Sequence, residues 1–304
     1  MSQTVLLAGA TGMLGSRIAH HLLAAGGADL RLLVRPAEGN SSRRQALQPL
    51  LAAGATVVEG DVADPRGLAA ATRGVEVVVS ALQGGHDVVV DGQVALAEAA
   101  AEAGVRRFLP SDFAMDIFKA TPGELASFDV RREAAERIAQ TGLPTVHVLN
   151  GAFLDGFVEG GGVLDLDDDA GTASFWGTGD ERIDATSVDD TAQYTALAAL
   201  DRDLPPGKFA VVGDRPSAAS MLQTLEQVAG RSYTQVSRGT LAELRESAAQ
   251  GRSHDPWSME AMVGGYLVYM LGGQTALEDL QNDRYPQVRP RTFADLVAAA
   301  QAGT

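Results

Sequence analysis

The chain contains no cysteine and only two lysines among its 304 residues. Without cysteine there is no disulfide, no thiolate nucleophile and no cysteine metal ligand, which suits a reducing compartment, and we expect a cytoplasmic location. Of the 24 basic residues, 22 are arginine and the others are Lys119 and Lys208. Lys119 directly follows the acidic and aromatic segment SDFAMDIF (111–118), so it is either a solvated loop residue or the proton donor of an active site.

Massed positive charge and long apolar runs are also missing. The formal net charge of −15 repels phosphate backbones and the basic pairs are scattered, which argues against a nucleic-acid partner. There is no uninterrupted run of about 18 apolar residues, and the opening MSQTVLLAGATG has no basic segment before an apolar one, so neither membrane insertion nor secretion is expected. His86, His147 and His254 are too widely spaced for a metal set, and we predict no metal.

The first half alternates short β-branched runs with stretches in which apolar residues recur every three or four positions. The runs are 4–9, 30–35, 56–61, 75–81, 106–111 and 144–149, and helical patterns lie between them. This alternation predicts an α/β fold, a doubly wound parallel sheet of the Rossmann type with helices on both faces.

After Asn150 the pattern changes. The glycine- and aspartate-rich segment 155–171 is predicted as loop. The patterns that follow predict a helix, a strand and four more helices, at 186–200, 208–214, 217–229, 240–250, 258–271 and 292–302. We predict a dinucleotide-binding domain over 1–155, to which 184–213 returns, and a smaller, mostly helical substrate-covering part over 156–304.

The motif GATGMLG lies between the first predicted strand and the first predicted helix. Its glycines allow a tight turn, close approach of backbone N–H groups to a pyrophosphate, and close packing of helix on strand. We therefore predict a dinucleotide site, with a purely structural turn as the alternative. The cofactor-binding residues expected here are Gly9, Thr11, Gly12, Met13, Leu14 and Gly15.

The end of the second strand indicates which dinucleotide is bound. An NAD site usually has Asp or Glu there, whereas the sequence LLVRP offers Arg35, whose planar fork suits a 2′-phosphate. We therefore predict NADP(H), although Glu38 lies close by and Arg35 could be an ordinary surface residue. Arg43 or Arg44 could add a second phosphate contact. By position, the remaining cofactor contacts are Asp61 and Val62 after the third strand and Ser80, Ala81 and Leu82 after the fourth.

Several blocks together resemble the NmrA-like and isoflavone-reductase-like family of atypical short-chain dehydrogenases/reductases. They are LLAGATGMLGSRI, LLVRP, GDVAD, VRRFLPSDF and GLPTVHVLNGAF, which lie between residues 4 and about 155. The resemblance is weaker afterwards. It implies NADPH-dependent reduction of a small, often aromatic or unsaturated substrate, or a dinucleotide sensor without turnover.

The resemblance also locates a proton donor that this chain lacks. In plant reductases of the family, a lysine early in the helix after the fifth strand is the general acid or base. In FDVRREAAERI that position falls at or beside Arg131, and arginine cannot shuttle a proton. None of the five tyrosines begins the Tyr-x-x-x-Lys pattern of ordinary dehydrogenases. Lys119 is the nearest alternative, and Ser111 is placed to bond a substrate carbonyl.

We expect the substrate to be held by Phe113, Arg131, Phe153, Trp176 and Tyr266, although Tyr266, Tyr269 and Met270 are at helical spacing and could be core. The predicted function is an NADPH-dependent oxidoreductase that reduces a small, aromatic or unsaturated carbonyl, imine or alkene. The alternative is an NADP(H)-binding redox sensor, and an isomerase or lyase that uses the same cavity is a third possibility. A protein partner or homodimer is left open.

Overall fold

The computed structural model describes residues 2–35, 41–158 and 160–302, with the backbone alone for 41–44. The strands of the first half are β1 (Gln3–Ala8), β2 (Ala28–Val34), β3 (Thr56–Glu59), β4 (Val77–Ser80), β5 (Arg107–Leu109) and β6 (Val146–Leu149). The helices between them are α1 (Met13–Ala24), α2 (Ser41–Ala52), α3 (Pro65–Ala71), α4 (Gln93–Glu102), which follows a π-helical turn (Asp87–Gly92), and α5 (Ala126–Ala139).

The predicted doubly wound sheet is confirmed. Its order is β3-β2-β1-β4-β5, and every pair is parallel. The order reverses between β1 and β4, and at such a switch point the carboxyl ends of the strands form a crevice that accepts ligands. Val5, Leu6 and Leu7 of β1 are all fully buried, as expected for a central strand covered by helices on both faces.

The second half begins with β7 (Ala152–Phe153), which leads into a 3₁₀ turn (Leu154–Phe157). Its further strands are β8 (Asp165–Asp167), β9 (Thr172–Phe175), β10 (Ala185–Thr186), β11 (Gly207–Ala210) and β12 (Thr234–Ser237). Its helices are α6 (Val188–Leu200), α7 (Ala218–Ala229), α8 (Leu241–His254), α9 (Met259–Gly272) and α10 (Phe293–Ala302).

Strand pairing and helix packing both tie the halves together. Strand β11 pairs in parallel with β6, and β6 meets the main sheet where the Phe108 N–H donates to the Pro144 carbonyl over 2.9 Å. Helix α6 shares a hydrophobic core with α1, to which Leu22 and Ala196 both belong. Helix α6 and strand β11 therefore pack against the first half, and the assignment of 184–213 to the dinucleotide-binding domain stays a prediction.

A small sheet in the second half was not predicted. Strand β8 runs antiparallel to β9, which pairs in parallel with β12. The prediction of loop throughout 155–171 is therefore wrong at β8. Aspartate is uncommon in strands and β8 has only three residues, while all four residues of β12 are exposed, so neither strand carries a pattern long enough to predict it.

The helices of the described ranges include none that is long and apolar enough to cross a bilayer.

Arg107 joins β5 to the end of α6. Its side chain is almost fully buried, and its guanidinium donates hydrogen bonds to the main-chain carbonyls of Ala198, Asp201 and Leu204. Carbonyls at the end of a helix lack intrahelical partners and favour a nearby positive charge. Burial, aided by the charge of Arg106, lowers the pKa of Arg107 below its usual value. Arg107 therefore helps to hold α6 against the sheet.

We expect Arg107→Met to lower the free energy of unfolding by roughly 2–4 kcal/mol, because it removes three charged hydrogen bonds and leaves buried carbonyls without a donor. Arg202→Met is the matched control. Arg202 is about half exposed and pairs with Glu76 at the surface, so its loss should change stability by no more than about 0.5 kcal/mol. Denaturant unfolding monitored by circular dichroism measures both values. Equal stability of the two variants would contradict this role of Arg107.

Candidate functional site

The turn between β1 and α1 is packed too tightly for side chains at two of its glycines. Gly9 has φ +92°, and a Cβ atom there would lie 2.4 Å from the Ala81 carbonyl oxygen. A Cβ atom on Gly15 would lie 2.1 Å from the Gly9 carbonyl oxygen. Gly9 and Gly15 are therefore required by the fold itself.

Gly12 is different, because its backbone (φ −81°, ψ 167°) suits any residue. A Cβ atom there would be no closer than 3.3 Å to the Gly9 carbonyl oxygen. Gly12 is the N-cap of α1; it has no side-chain cap, and the first turn contains no acidic residue. The N–H groups of this helix end are therefore available to an anion, which the helix dipole also favours.

An inner cavity of about 530 Å³ lies beside this turn. On the side of the turn it is lined by Gly9, Thr11, Gly12, Met13, Leu14, Ala81, Leu82 and Gln83. The opposite side consists of Ser111, Asp112, Phe113, Ala114, Met115, Arg131, Gly151, Ala152, Phe153, Phe157, Tyr266 and Met270. Residues distant in sequence meet here because β1, β4 and β5 all end at this edge of the sheet. Most of the predicted cofactor and substrate residues therefore share one cavity.

An outer cavity of about 390 Å³ continues the groove toward β2 and β3. Arg35, Asp61 and Val62 line it, and it shares Gly9, Thr11, Leu82 and Gln83 with the inner cavity. The two cavities therefore form one elongated groove, with the glycine turn at its middle. Glu38 lies outside the described residues, and the side chains of Arg43 and Arg44 are likewise outside the described part.

Gly15, Ser80 and Trp176 do not line either cavity. Gly15 lies beneath the turn, and the Ser80 side chain is fully buried at the end of β4, so the groove is reached only by the residues after it. Trp176 packs in the hydrophobic cluster of the second half, with the Arg238 guanidinium 5.3 Å from its ring centre. Position in the sequence shows where β4 ends, but it does not show that Ser80 is buried while Ala81 and Leu82 line the groove.

Lys119 is also outside the inner cavity. It ends a 3₁₀ turn (Ile117–Lys119), and its Nζ donates to the Ala276 carbonyl over 2.8 Å and lies 2.9 Å from the Glu278 carboxylate. The second lysine, Lys208, lies 2.7 Å from the buried Asp116 carboxylate, which is 4.0 Å from Lys119. Lys119 therefore binds the second half from the loop after β5, and Lys208 of β11 binds Asp116 of that same loop. Both roles depend on partners remote in sequence.

Arg131 lies in the wall of the inner cavity and is held by main-chain oxygens. Its Nε donates to the Asp112 carbonyl over 3.2 Å, and its Nη1 donates to the Ser127 carbonyl over 2.7 Å. The Asp112 side chain is almost fully buried, and its Oδ2 lies 2.7 Å from Nδ1 of His147 on β6. Among the described residues, no carboxylate forms an ion pair with Arg131. His147 is a partner of this site that sequence spacing did not reveal.

Helix α9 divides its aromatic residues between cavity and core. Tyr266 and Met270 line the cavity, and the Tyr266 hydroxyl lies 3.1 Å from Ser127 Oγ. Tyr269 faces the core, where its hydroxyl contacts Thr121 and Glu124, and burial raises the pKa of Tyr269. Of the three residues at helical spacing, Tyr269 is therefore a core residue, and Tyr266 and Met270 line the cavity.

Phe113 has an unusual backbone conformation at the end of β5. Its φ of +33° is rare for a residue other than glycine, and such strain is concentrated at binding sites. Ser111, two residues earlier, is fixed by a 2.8 Å hydrogen bond from its N–H to the buried Gln93 side chain. The segment 111–113 therefore lines the cavity in a conformation fixed by this hydrogen bond and by the backbone of Phe113.

Comparison with known proteins finds chains that are similar in sequence and in fold. Pinoresinol reductase 1 of Arabidopsis thaliana is 35% identical over 207 residues, which are 65% of this chain and 64% of that protein, so the match spans less than two thirds of that relative. The solved structure of AtPrR2 with NADP+ and (+)pinoresinol matches 98% of this chain and 99% of its own, with TM-score 0.83 and 25% identity. A leucoanthocyanidin reductase–NADPH complex from Vitis vinifera has the same fold, with TM-score 0.81, 20% identity, and coverage of 97% and 98%.

The family model described as the NmrA-like family matches residues 1–253, which is most of the chain. Together with the glycine turn and the groove at the switch point of the sheet, this match shows that the chain belongs to the NmrA-like family.

Proposed function

We propose that the chain is an NADPH-dependent reductase of a small, aromatic or unsaturated carbonyl, imine or alkene. The observation that carries this proposal is the continuity of the two cavities. A ligand bound along the outer cavity and the glycine turn has one end in the inner cavity, beside Phe113, Arg131 and Tyr266. The relatives with matching folds include proteins solved with NADP+ or NADPH, which supports the same cofactor here.

The residues present fit NADP(H). The uncapped N-terminus of α1 suits a pyrophosphate, and the exposed Arg35 in the outer cavity suits a 2′-phosphate. Bound NADPH supplies a hydride. The inner cavity offers apolar and aromatic side chains to the acceptor, among them Met13, Phe153 and Met270. A flat, unsaturated substrate would bury its surface against them.

Reduction of a carbonyl also requires a proton, and the cavity wall opposite the glycine turn has two hydroxyls that can deliver it, those of Ser111 and Tyr266. We assign this role to Tyr266, because a phenol is a stronger acid than an alcohol and Ser127 Oγ holds its hydroxyl in place. Ser111 is then the group that bonds the substrate oxygen. Arg131 is excluded as the proton donor, because an arginine guanidinium does not give up its proton in proteins, and it contributes positive charge and hydrogen-bond donors. The position of Lys119, bound to Ala276 and Glu278, supports a structural role for that residue.

The matching relatives are named as reductases, which gives the redox-sensor alternative no support. A protein partner or homodimer stays a prediction.

The function is tested by measuring NADPH oxidation with a panel of aromatic enones, aldehydes and imines. We expect turnover with at least one class and none with Gly12→Val, because a side chain there enters the space needed by the pyrophosphate. The φ and ψ of Gly12 suit valine, and its Cβ would need only a small shift of the Gly9 carbonyl oxygen 3.3 Å away, so circular dichroism should stay close to that of the wild type. NADPH binding without NADPH oxidation in the presence of any panel compound would favour a sensor. Normal NADPH binding by Gly12→Val would show that the glycine turn does not bind the cofactor.

Arg35 should determine the preference for NADPH over NADH. Loss of a charged phosphate contact costs roughly 1.5–3 kcal/mol, so Arg35→Ala should weaken NADPH binding about ten- to a hundredfold and leave NADH binding nearly unchanged. Titration of cofactor fluorescence measures both dissociation constants. Wild-type preference for NADH, or equal weakening of both cofactors, would count against the assignment.

Tyr266→Phe should lower kcat by about 10²–10⁴ with unchanged NADPH affinity, because it removes the proposed proton donor and keeps the ring. Lys119→Met is the control, and its kcat should stay within about threefold of wild type, since Lys119 is outside the cavity. Steady-state kinetics on the best substrate of the panel distinguishes the two. A large loss in Lys119→Met with normal activity in Tyr266→Phe would reverse the assignment.

A further inference from the structure

Arg131 is oriented by the protein but not neutralised by it. Two of the five guanidinium N–H groups donate to the main-chain carbonyls of Asp112 and Ser127, which are uncharged acceptors. Among the described residues, no hydrogen-bond acceptor is found for either N–H group of Nη2. The side chain is therefore held in one position with donors to spare, and a ligand that binds it need not bear the cost of ordering it.

The other arginines of α5 show that the lack of an acidic partner is specific to this position. Arg132 pairs with Asp129, and Arg137 lies 3.0 Å from the Asp91 carboxylate at the surface. The one carboxylate in the cavity wall, that of Asp112, lies against His147 instead. In a chain with 39 acidic residues, Arg131 reaches the cavity without an acidic partner among the described residues.

The surroundings of Arg131 make this charge effective. The wall of the inner cavity is largely apolar, with Phe113, Met115, Phe153 and Phe157 among its residues. Charge interactions are stronger where apolar groups replace water, and a half-buried cation is costly unless an anion compensates it. The cavity therefore favours a ligand with an aromatic or apolar body and one anionic group.

We propose that Arg131 binds a carboxylate of the substrate, so that the chain acts on small aromatic acids rather than on neutral aromatic compounds. The inference rests on the proposed reductase function and names its substrate class. A carboxylate matches the planar fork of arginine and can accept two parallel hydrogen bonds. The alternative ligand of Arg131 is a phosphate of the cofactor. A phosphate can bind to the uncapped N-terminus of α1 instead, so it does not require Arg131.

The test is binding of cinnamate and cinnamamide, which differ only in the acid group, to the full chain with and without NADP+. Wild type should bind cinnamate roughly ten- to a hundredfold more tightly than the amide, the factor that a charged hydrogen bond contributes. Arg131→Gln should remove this preference, and Arg131→Lys should retain part of it. Arg137→Gln, which removes one exposed charge from the same helix, should behave as wild type. Isothermal titration calorimetry gives all of these constants.

Two results would overturn the inference. The first is a wild type that binds the amide as well as the acid, or that binds neither. The second is an Arg131→Gln variant that loses NADP+ affinity and keeps its preference for cinnamate, which would assign the guanidinium to a cofactor phosphate. Because NADP+ affinity is measured separately, a chain that binds cinnamate through Arg131 but has no affinity for NADP+ would refute the reductase and leave the anion site standing.

Discussion

The site depends on one close approach of main chain to main chain. The Gly9 backbone lies so near the Ala81 carbonyl that no side chain fits between them, and Gly15 is pressed equally closely against Gly9. This contact joins the ends of β1 and β4 and directs the start of α1 into the groove. Gly12 is thereby left uncapped and open, with the outer cavity on one side and the inner cavity on the other.

The inner cavity then needs the second half of the chain for its remaining wall. Phe153 and Gly151 follow β6, while Tyr266 and Met270 come from α9. Helix α9 is anchored to the segment after β5 through Tyr269, whose hydroxyl bonds to Thr121 and Glu124. The same packing that forms the core on one side of α9 therefore sets the position of Tyr266 on the other.

Four cationic residues have two different roles, since three of them hold parts of the fold together and one lines the cavity. The two lysines and the buried Asp116 fasten the loop after β5 to the second half, and Arg107 fastens β5 to α6. Of these four cations, Arg131 alone lines the inner cavity. The resemblance to plant reductases implies lysine at this position. Arginine keeps its charge and cannot shuttle a proton, which fits the proposed role of Arg131 in binding an anionic group.

The sequence by itself determined the doubly wound sheet, because strands buried on both faces must be apolar and their helices must be amphipathic. It also determined the glycine turn, since only glycine fits at Gly9 and Gly15. The strands β8 and β12 escaped prediction, because they are short, polar and stabilised by pairing with β9 rather than by burial. Only the tertiary structure decided that Lys119 lies against Ala276 and that Tyr266 faces the cavity, since these outcomes depend on contacts between segments more than a hundred residues apart.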